Sequence, residues 1–543
     1  MEYKKNDCLT VQIEDMGNEG EGIGRVDGFI LFVKDAVIGD TVRVKIMKAK
    51  KNYAYAHLEE ILEPSPYRQT PRCPVCRQCG GCQLQALSYE KQLEYKQNKI
   101  RGSLIRLGGF AEDTVDAVME PILGMNGEGE EPFHYRNKAQ YPVGRNRAGD
   151  IITGFYAAHS HSIVPNTDCA LGAGENRKIL EEVLAYMKEN RVSAYDEESG
   201  KGIVRHILIR KGFASGEIMV CLVINRKQVQ DGKWLPAQED LIRRLRAVFG
   251  MASISVSCNT ERNNVIMGNC AYTLWGKEQI SDTIRMRDMR KTGFPFTGDK
   301  LHFGISPLSF YQVNPLQTEK LYSTALEYAD LHGTESVWDL YCGIGTISLF
   351  MAKRAGRVYG VEIVPEAIAD AGRNAQENGI HNAAFFVGKA EEVLPAFYEK
   401  QSVAYAGAAQ KGGRHLSQEE ALPGITGEGG WQSDMLHPDV IVVDPPRKGC
   451  DSACLDTILK MQPSRVVYVS CDPATLARDL KILCAGGYVL KRVRGCDMFP
   501  QSGHVETVCL LSNRKPDARV KIDVDLEDYY RIKDEQKKNK ASE

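Results

Sequence analysis

Net charge is what this sequence lacks. Its 69 Lys and Arg stand against 71 Asp and Glu, a formal charge of −2 over 543 residues. Bulk attraction to a polyanion is therefore excluded, and any nucleic-acid contact has to come from local patches. Long apolar runs are missing as well: no stretch approaches the roughly 18 to 20 residues of a membrane-spanning helix. The opening MEYKKNDCLTVQIEDMG has no apolar core of the kind a secretory leader carries. The expected location is the cytoplasm. There, 16 cysteines are not expected to form a disulfide framework, and several become candidate metal ligands. Internal repeats are absent, and a chain of this length predicts three or four domains.

What is present begins with a barrel pattern. Residues 1–62 hold short alternating segments, CLTVQIEDM, GRVDGFILFV, DTVRVKIMKAK and YAYAHLEEIL, separated by glycine turns. The run from Arg43 to Lys51 carries five cations and no acid, with Arg43 and Lys45 on one strand face. Such a face is either a solvated edge strand that discourages aggregation or the phosphate-contacting surface of an OB-like barrel, suited to single-stranded RNA. This stretch resembles a TRAM domain, an RNA-binding barrel. A proline-rich linker follows, and then Cys73, Cys76, Cys79 and Cys82 recur at every third residue. That density points to a metal, either zinc or an iron–sulfur cluster, and the spacing by itself favours all four as ligands. Residues 88–107 predict a helix with Leu93, Ile100, Leu104 and Ile105 on one side. From Pro66 to Phe110, eight Lys or Arg face two Glu, either a solvated helix face or a place where a phosphate backbone passes. Residues 111–131 read as a loop. Beyond them a mostly antiparallel region includes DIITGFYAAHSHSIVP as one strand and helices at 173–190 and 237–248. Cys169 lies in a turn there, and His159 and His161 read as exposed strand residues.

The C-terminal part alternates strands and helices, which predicts a mostly parallel doubly wound sheet. SVWDL runs into Tyr341-Cys-Gly343-Ile-Gly345-Thr346, where a backbone can approach a nucleotide-like ligand. Glu362 ends the next strand and can accept from ribose hydroxyls. This logic serves both NAD and S-adenosylmethionine (SAM) sites, but Ser348 stands where the third glycine of G-x-G-x-x-G would be, against NAD. Asp444-Pro-Pro-Arg447 ends a later strand and is similar to the motif of SAM enzymes that act on planar bases. Next, VVYVS delivers Cys471 to a strand-to-helix junction, where the helix N-terminus is expected to favour the thiolate. Carbon 5 of uracil is a poor nucleophile. A thiolate added to carbon 6 activates it, and a carboxylate must then remove the carbon 5 proton. Glu506, which opens the last strand 505–512 beside His504, is the candidate carboxylate. Residues 400–437 form a Gly/Ala/Gln/Ser-rich insertion, and 514–543 a charged tail.

Taken together, Ser470-Cys-Asp-Pro-Ala-Thr-Leu-Ala-Arg-Asp479, Asp444-Pro-Pro-Arg-Lys-Gly449, Ser309-Phe-Tyr-Gln-Val-Asn314 and the cysteine cluster resemble the SAM-dependent RNA (uracil-5-)-methyltransferases, especially the bacterial 23S rRNA branch. The resemblance spans nearly all of residues 1–513. It implies a multidomain α/β protein: a TRAM-like barrel at 1–62, a mixed α+β central domain at 63–300 with 88–120 packing on the next domain, and a Rossmann-like SAM domain at 301–513. It implies Cys471 as nucleophile, Glu506 as proton acceptor, and Gln312, Tyr341, Glu362 and Asp444 at SAM or orienting it. Thr346 and Lys389 stand where some members have asparagine, and Asp472 where many do. It also implies a [4Fe-4S] cluster on Cys73, Cys79, Cys82 and Cys169, which leaves Cys76 out. The expected substrate is 23S rRNA, because the typical bacterial tRNA enzyme of the family lacks the barrel and the cluster; a monomer is expected. The alternatives are the same chemistry on tRNA, a non-catalytic RNA-binding protein and an NAD-linked dehydrogenase.

Overall fold

The computed structural model describes residues 3–17, 19–229, 233–390, 392–393 and 437–514. The insertion expected at 400–437 and the tail expected at 514–543 lie almost wholly outside the described residues.

Strands β1 (Cys8–Met16), β2 (Gly22–Val26), β3 (Phe29–Lys34), β4 (Thr41–Ala49) and β5 (Tyr53–Glu63) close into a barrel. Alternation explains it. Val42, Val44 and Ile46 point inward at 0% exposure, while Arg43 stays outside between them. Because β4 pairs with β1 on one side and β5 on the other, it is no edge strand. The aggregation-guard reading of its cations therefore falls.

Helix α1 (Tyr89–Arg106) follows the cysteine loop, and then come α2 (Glu112–Val118) and β6 (Met119–Leu123). The loop expected over 111–131 is thus part helix and part strand. Next are β7 (Lys138–Arg145), β8 (Ile151–Tyr156), β9 (Ile163–Pro165), α3 (Glu175–Glu189), β10 (Val204–Lys211), β11 (Ile218–Ile224), α4 (Gln238–Arg246), β12 (Met251–Cys258) and β13 (Ala271–Gly276). They build a seven-stranded sheet in the order β13-β12-β11-β10-β7-β8-β9, covered by the apolar faces of α3 and α4. The single strand expected across 150–165 is two, β8 and β9. His159 and His161 lie in the turn between them, with His159 in the left-handed region at φ 55°.

A hairpin, β14 (Ile280–Arg287) and β15 (Phe296–Ile305), leads to α5 (Pro315–Ala329), whose N-terminus is capped by the Asn314 side chain. The remaining elements are β16 (Ser336–Leu340), α6 (Thr346–Ala352), β17 (Arg357–Glu362), α7 (Pro365–Glu377), β18 (Ala383–Val387), β19 (Val440–Val443), α8 (Ser452–Met461), β20 (Arg465–Ser470), α9 (Pro473–Ala485), β21 (Tyr488–Cys496) and β22 (Glu506–Asn513). Their eight-stranded sheet runs β18-β17-β16-β19-β20-β22-β21-β6. The first five strands are parallel, and β22 enters antiparallel between β20 and β21. Period-two alternation splits each strand between two cores. Val440 and Val442 face α5, α6 and α7, whereas Ile441 and Val443 face α1, α8 and α9. Both faces are covered, as a parallel sheet requires. Among the described residues no helix is long and apolar enough to cross a membrane.

Candidate active site

Strand register brings the two expected catalytic residues together. β20 and β22 pair antiparallel up to Ser470 opposite Thr507. Cys471 and Glu506 are the next residues at that end of the pair, and Glu506 acts electrostatically on Cys471. Cys471 is half-buried, and Glu506 is 4% exposed, so the carboxylate is not the surface residue its type usually is. Asp444, at the end of β19, and Arg447 complete the corner, since both act electrostatically on Cys471. The loop that carries them is pinned to α9: Thr475 Oγ1 donates to the Arg447 carbonyl at 3.1 Å, and Cys450 N donates to Asp479 Oδ2 at 2.9 Å.

The corner crowds acidic groups together. Burial, then Glu506 and Asp444, push the Cys471 thiol up to about 12, against the pull of Arg447. Glu506 is itself raised well above the carboxylate range by burial and then by Asp444. The thiolate expected from the nearby helix N-terminus is therefore not the resting state. The helix end is also already occupied. The Asp472 side chain takes the first amides of α9, accepting from Ala474 N at 2.8 Å and Thr475 N at 3.2 Å.

At the carboxyl ends of β16 and β17 lies the cradle expected to take a nucleotide-like ligand. Tyr341 leaves β16 in the left-handed region at φ 68°, a conformation that concentrates at functional sites. Gly343 follows at φ 55°, and a Cβ built on it would meet only open space. Glu362 is fixed there by Gly343 N at 3.2 Å and Val364 N at 3.1 Å, which leaves lone pairs for a ligand hydroxyl. Gln312 is buried just before α5 and lies with Thr346 against the Tyr322 hydroxyl. Two further residues belong to the cradle although no reading of the sequence singled them out as ligands. Asp339 is fully buried, accepts a hydrogen bond from Ser348 Oγ, and keeps its other oxygen, Oδ1, without a partner. Burial raises its carboxyl to about 7, Ser348 opposes this, and Asp444 adds to it. Tyr322, on α5, points its hydroxyl at Thr346 Oγ1 from 3.3 Å. Asp339 stands in the very strand read as leading to the glycines; an acid between the apolar Trp338 and Leu340 was the available signal. An orphaned buried carboxylate oxygen and a half-satisfied acidic residue fit a cationic, hydroxyl-bearing ligand such as SAM.

The chain is similar to known proteins. The family model described as TRAM domain matches residues 4–58, the one described as methyltransferase domain matches 331–409, and the one described as tRNA (uracil-5-)-methyltransferase matches 430–514. An uncharacterized RNA methyltransferase of Halalkalibacterium halodurans is 45% identical over 508 residues, covering 93% of this chain and 97% of its own. One from Clostridium tetani is 42% identical over 510 residues, covering 94% and 97%. The chain belongs to the RNA methyltransferases of the uracil-5-methyltransferase family. The crystal structure of Pyrococcus abyssi tRNA (uracil-54, C5)-methyltransferase with S-adenosyl-L-homocysteine shares the fold, at a TM-score of 0.64 and 24% identity over 93% of this chain and 100% of that one.

In this RNA methyltransferase the cysteine loop abuts the catalytic region. Cys82 and Cys169 pack on one small apolar cluster with Met125, Tyr135 and Leu171. Burial pushes the Cys82 thiol up to about 12, opposed by Gln85 and reinforced by Cys169, Cys79 and Cys73. Cys79 likewise feels Cys169, Cys73 and Cys76. Cys76 is raised by burial, Cys73 and Asp35. Among the described residues no group of three or more His, Cys, Asp or Glu is arranged to hold a metal ion. The thiols share a neighbourhood without being drawn into ligand geometry.

A groove of about 570 Å³ runs from the barrel to the loop after Cys471, with Met16 and Ile38 on one wall, Lys99 and Arg106 of α1 on another, and Pro473 and His504 at its far end. On the barrel itself, Arg43 is ion-paired with Glu60, so the cationic strand is partly neutralised.

Proposed function

We propose that this RNA methyltransferase methylates carbon 5 of a specific uridine in 23S rRNA through a covalent adduct with Cys471. The observation that carries this reading is the placement of a half-buried thiol opposite a buried carboxylate on adjacent strands, next to the cradle. The Cys471 thiolate adds to carbon 6 of the uracil, and the displaced π electrons make carbon 5 nucleophilic. SAM supplies the methyl group that carbon 5 takes up. Glu506 then accepts the carbon 5 proton. The electrons of that C–H bond re-form the 5,6 double bond, and the carbon 6–sulfur bond breaks to return the thiolate. Gln312, Tyr341, Glu362 and Asp444 hold SAM and orient it, with Asp339 beside them.

RNA enters along the groove between the barrel and α1, and the target uridine is unstacked into the catalytic corner. Methylation of tRNA is the second reading, favoured by the fold shared with an enzyme whose name specifies tRNA. The same resemblance assigns a [4Fe-4S] cluster to Cys73, Cys79, Cys82 and Cys169. Four thiols are the right donor set. Such a cluster would staple the cysteine loop to the 169 turn and supply no redox step.

Transfer of labelled methyl from SAM to 23S rRNA and to bulk tRNA, both lacking the modification, tests the reading. Label is expected on rRNA as 5-methyluridine and is expected to vanish with Cys471→Ala. Label on tRNA alone would discard the substrate and keep the chemistry. No label on either would return the non-catalytic RNA-binding reading.

A further inference from the structure

The connection between β21 and β22, residues 497–505, delivers Glu506 to the site. Its centre is Gln501, and Gln501 is unusual on two counts. It is fully buried, and it holds φ at 70°, in the left-handed region that a side chain disfavours. Every polar group it owns is used. Its carbonyl accepts from both Gln83 N and Leu84 N at 3.0 Å. Its amide N donates to Gln92 Oε1 at 3.1 Å, and Gln92 Nε2 returns a bond to Gln501 Oε1 at 3.0 Å. Its Nε2 donates to the Pro132 carbonyl at 3.4 Å.

All these partners come from outside the methyltransferase sheet. Gln83 and Leu84 directly follow Cys82. The next residue, Gln85, accepts through its side chain from Cys73 N at 3.0 Å. One short segment therefore grips the first cysteine of the loop with Gln85 and the catalytic connection with Gln83 and Leu84. Neighbouring bonds reinforce the seam: Tyr135 Oη donates to the Pro500 carbonyl at 3.0 Å, and Lys99 Nζ to the Gly503 carbonyl at 2.8 Å. Backbone strain held by such over-determined bonding is characteristic of a constrained functional segment.

We propose that Gln501 is a positioning residue that anchors the Glu506-bearing connection on the cysteine loop and so sets where the carboxylate meets the carbon 5 proton. The proposal rests on Glu506 being the proton acceptor. Loosening the anchor then acts on one step. Thiolate addition and methyl transfer involve Cys471 and the cradle, which the anchor does not touch. Proton removal from carbon 5, with re-formation of the double bond and departure of the thiolate, involves Glu506.

The test uses the full-length enzyme with a substrate RNA, comparing Gln501→Ala, Gln92→Ala and Glu506→Gln. SAM binding by calorimetry, turnover, and the fraction of protein in a denaturant-stable RNA adduct are measured. Gln501→Ala is expected to bind SAM as the parent does, to turn over at least about tenfold more slowly, and to accumulate adduct. Gln92→Ala, which removes the bonds from Gln501 N and to Gln501 Oε1, is expected to do the same more weakly and stands in if Gln501→Ala does not fold. Parental turnover in both variants overturns the proposal. So does loss of SAM binding together with adduct in both, which marks a merely structural role. If Glu506→Gln traps adduct and neither anchor variant does, the anchor alone is refuted. If Glu506→Gln traps none, the proton-acceptor reading falls and takes the anchor with it.

Discussion

Cys471 and Glu506 sit in a corner that holds protons rather than charges. The thiol is pushed up to about 12 by burial and by Glu506 and Asp444, and Glu506 is raised by burial and Asp444 in turn. Both groups act in their deprotonated forms, and both have folded-state pKa values above their ordinary ones. The competent fraction therefore grows as pH rises. Single-turnover methyl transfer is expected to climb steadily from about pH 6 to about pH 9, without the neutral maximum of an enzyme poised near pH 7. A bell centred near neutrality would contradict this assignment of protonation states. The placement of the two residues at strand ends could be read from the sequence, but their ionisation could not. A helix N-terminus is a local feature, visible in Asp472-Pro473. The opposing carboxylates arrive from β19 and β22, and only the folded sheet brings them beside the sulfur.

At the scale of elements, the strands that could be read in advance are those whose residues speak for themselves: β16, β19 and β20 are short apolar runs ending in motif residues. β21 and β6 were not anticipated. β21 carries Lys491, Arg492 and Arg494, a poor signature for a buried strand. Its charges are matched by distant partners. Arg492 pairs with Glu120 and, at 2.8 Å, with Glu327, and Arg494 reaches Glu120 at 3.3 Å. β6, with a proline at its middle, becomes a strand because β21 offers it an edge. Helix α1 is tied to the same region by an ion pair between Lys96 and Asp497, both fully buried. Burial lowers the Lys96 pKa, and Asp497 works against that. Lys96 also donates to the Phe499 carbonyl at 3.0 Å, and Asp497 keeps a second bond from Tyr89 Oη at 2.9 Å. Lys96→Met would leave a carboxylate uncompensated in the interior and is expected to destabilise the protein by about 3–5 kcal/mol. Adding Asp497→Asn, which removes the stranded charge and keeps an acceptor for Tyr89, should recover most of that loss. Urea-unfolding midpoints of the single and double variants check it. A single variant as stable as the parent would mean the pair is electrostatically idle.

For the whole molecule, the question is what joins a barrel, a central sheet and a catalytic sheet into one enzyme. The cysteine loop lies at their junction. Lys34 of the barrel donates to the Arg77 carbonyl at 3.3 Å, Cys79 bridges to Ala157 of the central region, and Gln83 and Leu84 hold the catalytic connection. A loop with little apolar content of its own needs a cross-link to bear that role, and the proposed cluster would provide one. Spacing in the sequence pointed to Cys76 as readily as to its neighbours, because it cannot register a ligand from a distant turn. In the fold Cys169 acts electrostatically on Cys79 and Cys82 and is itself raised by Cys73, while Cys76 is raised by Cys73 and Asp35 and acts on Cys79. Cys169→Ser is therefore expected to lose the brown colour and most of the iron of anaerobically purified protein. Cys76→Ser should keep both. Since the cluster would act by holding the junction, loss of iron should also lower the thermal midpoint while Cys471 stays able to react with a thiol reagent. The reverse pattern of colour, bleached by Cys76→Ser and kept by Cys169→Ser, would replace the 169 turn with a purely local ligand set. The junction would then depend on its hydrogen bonds alone.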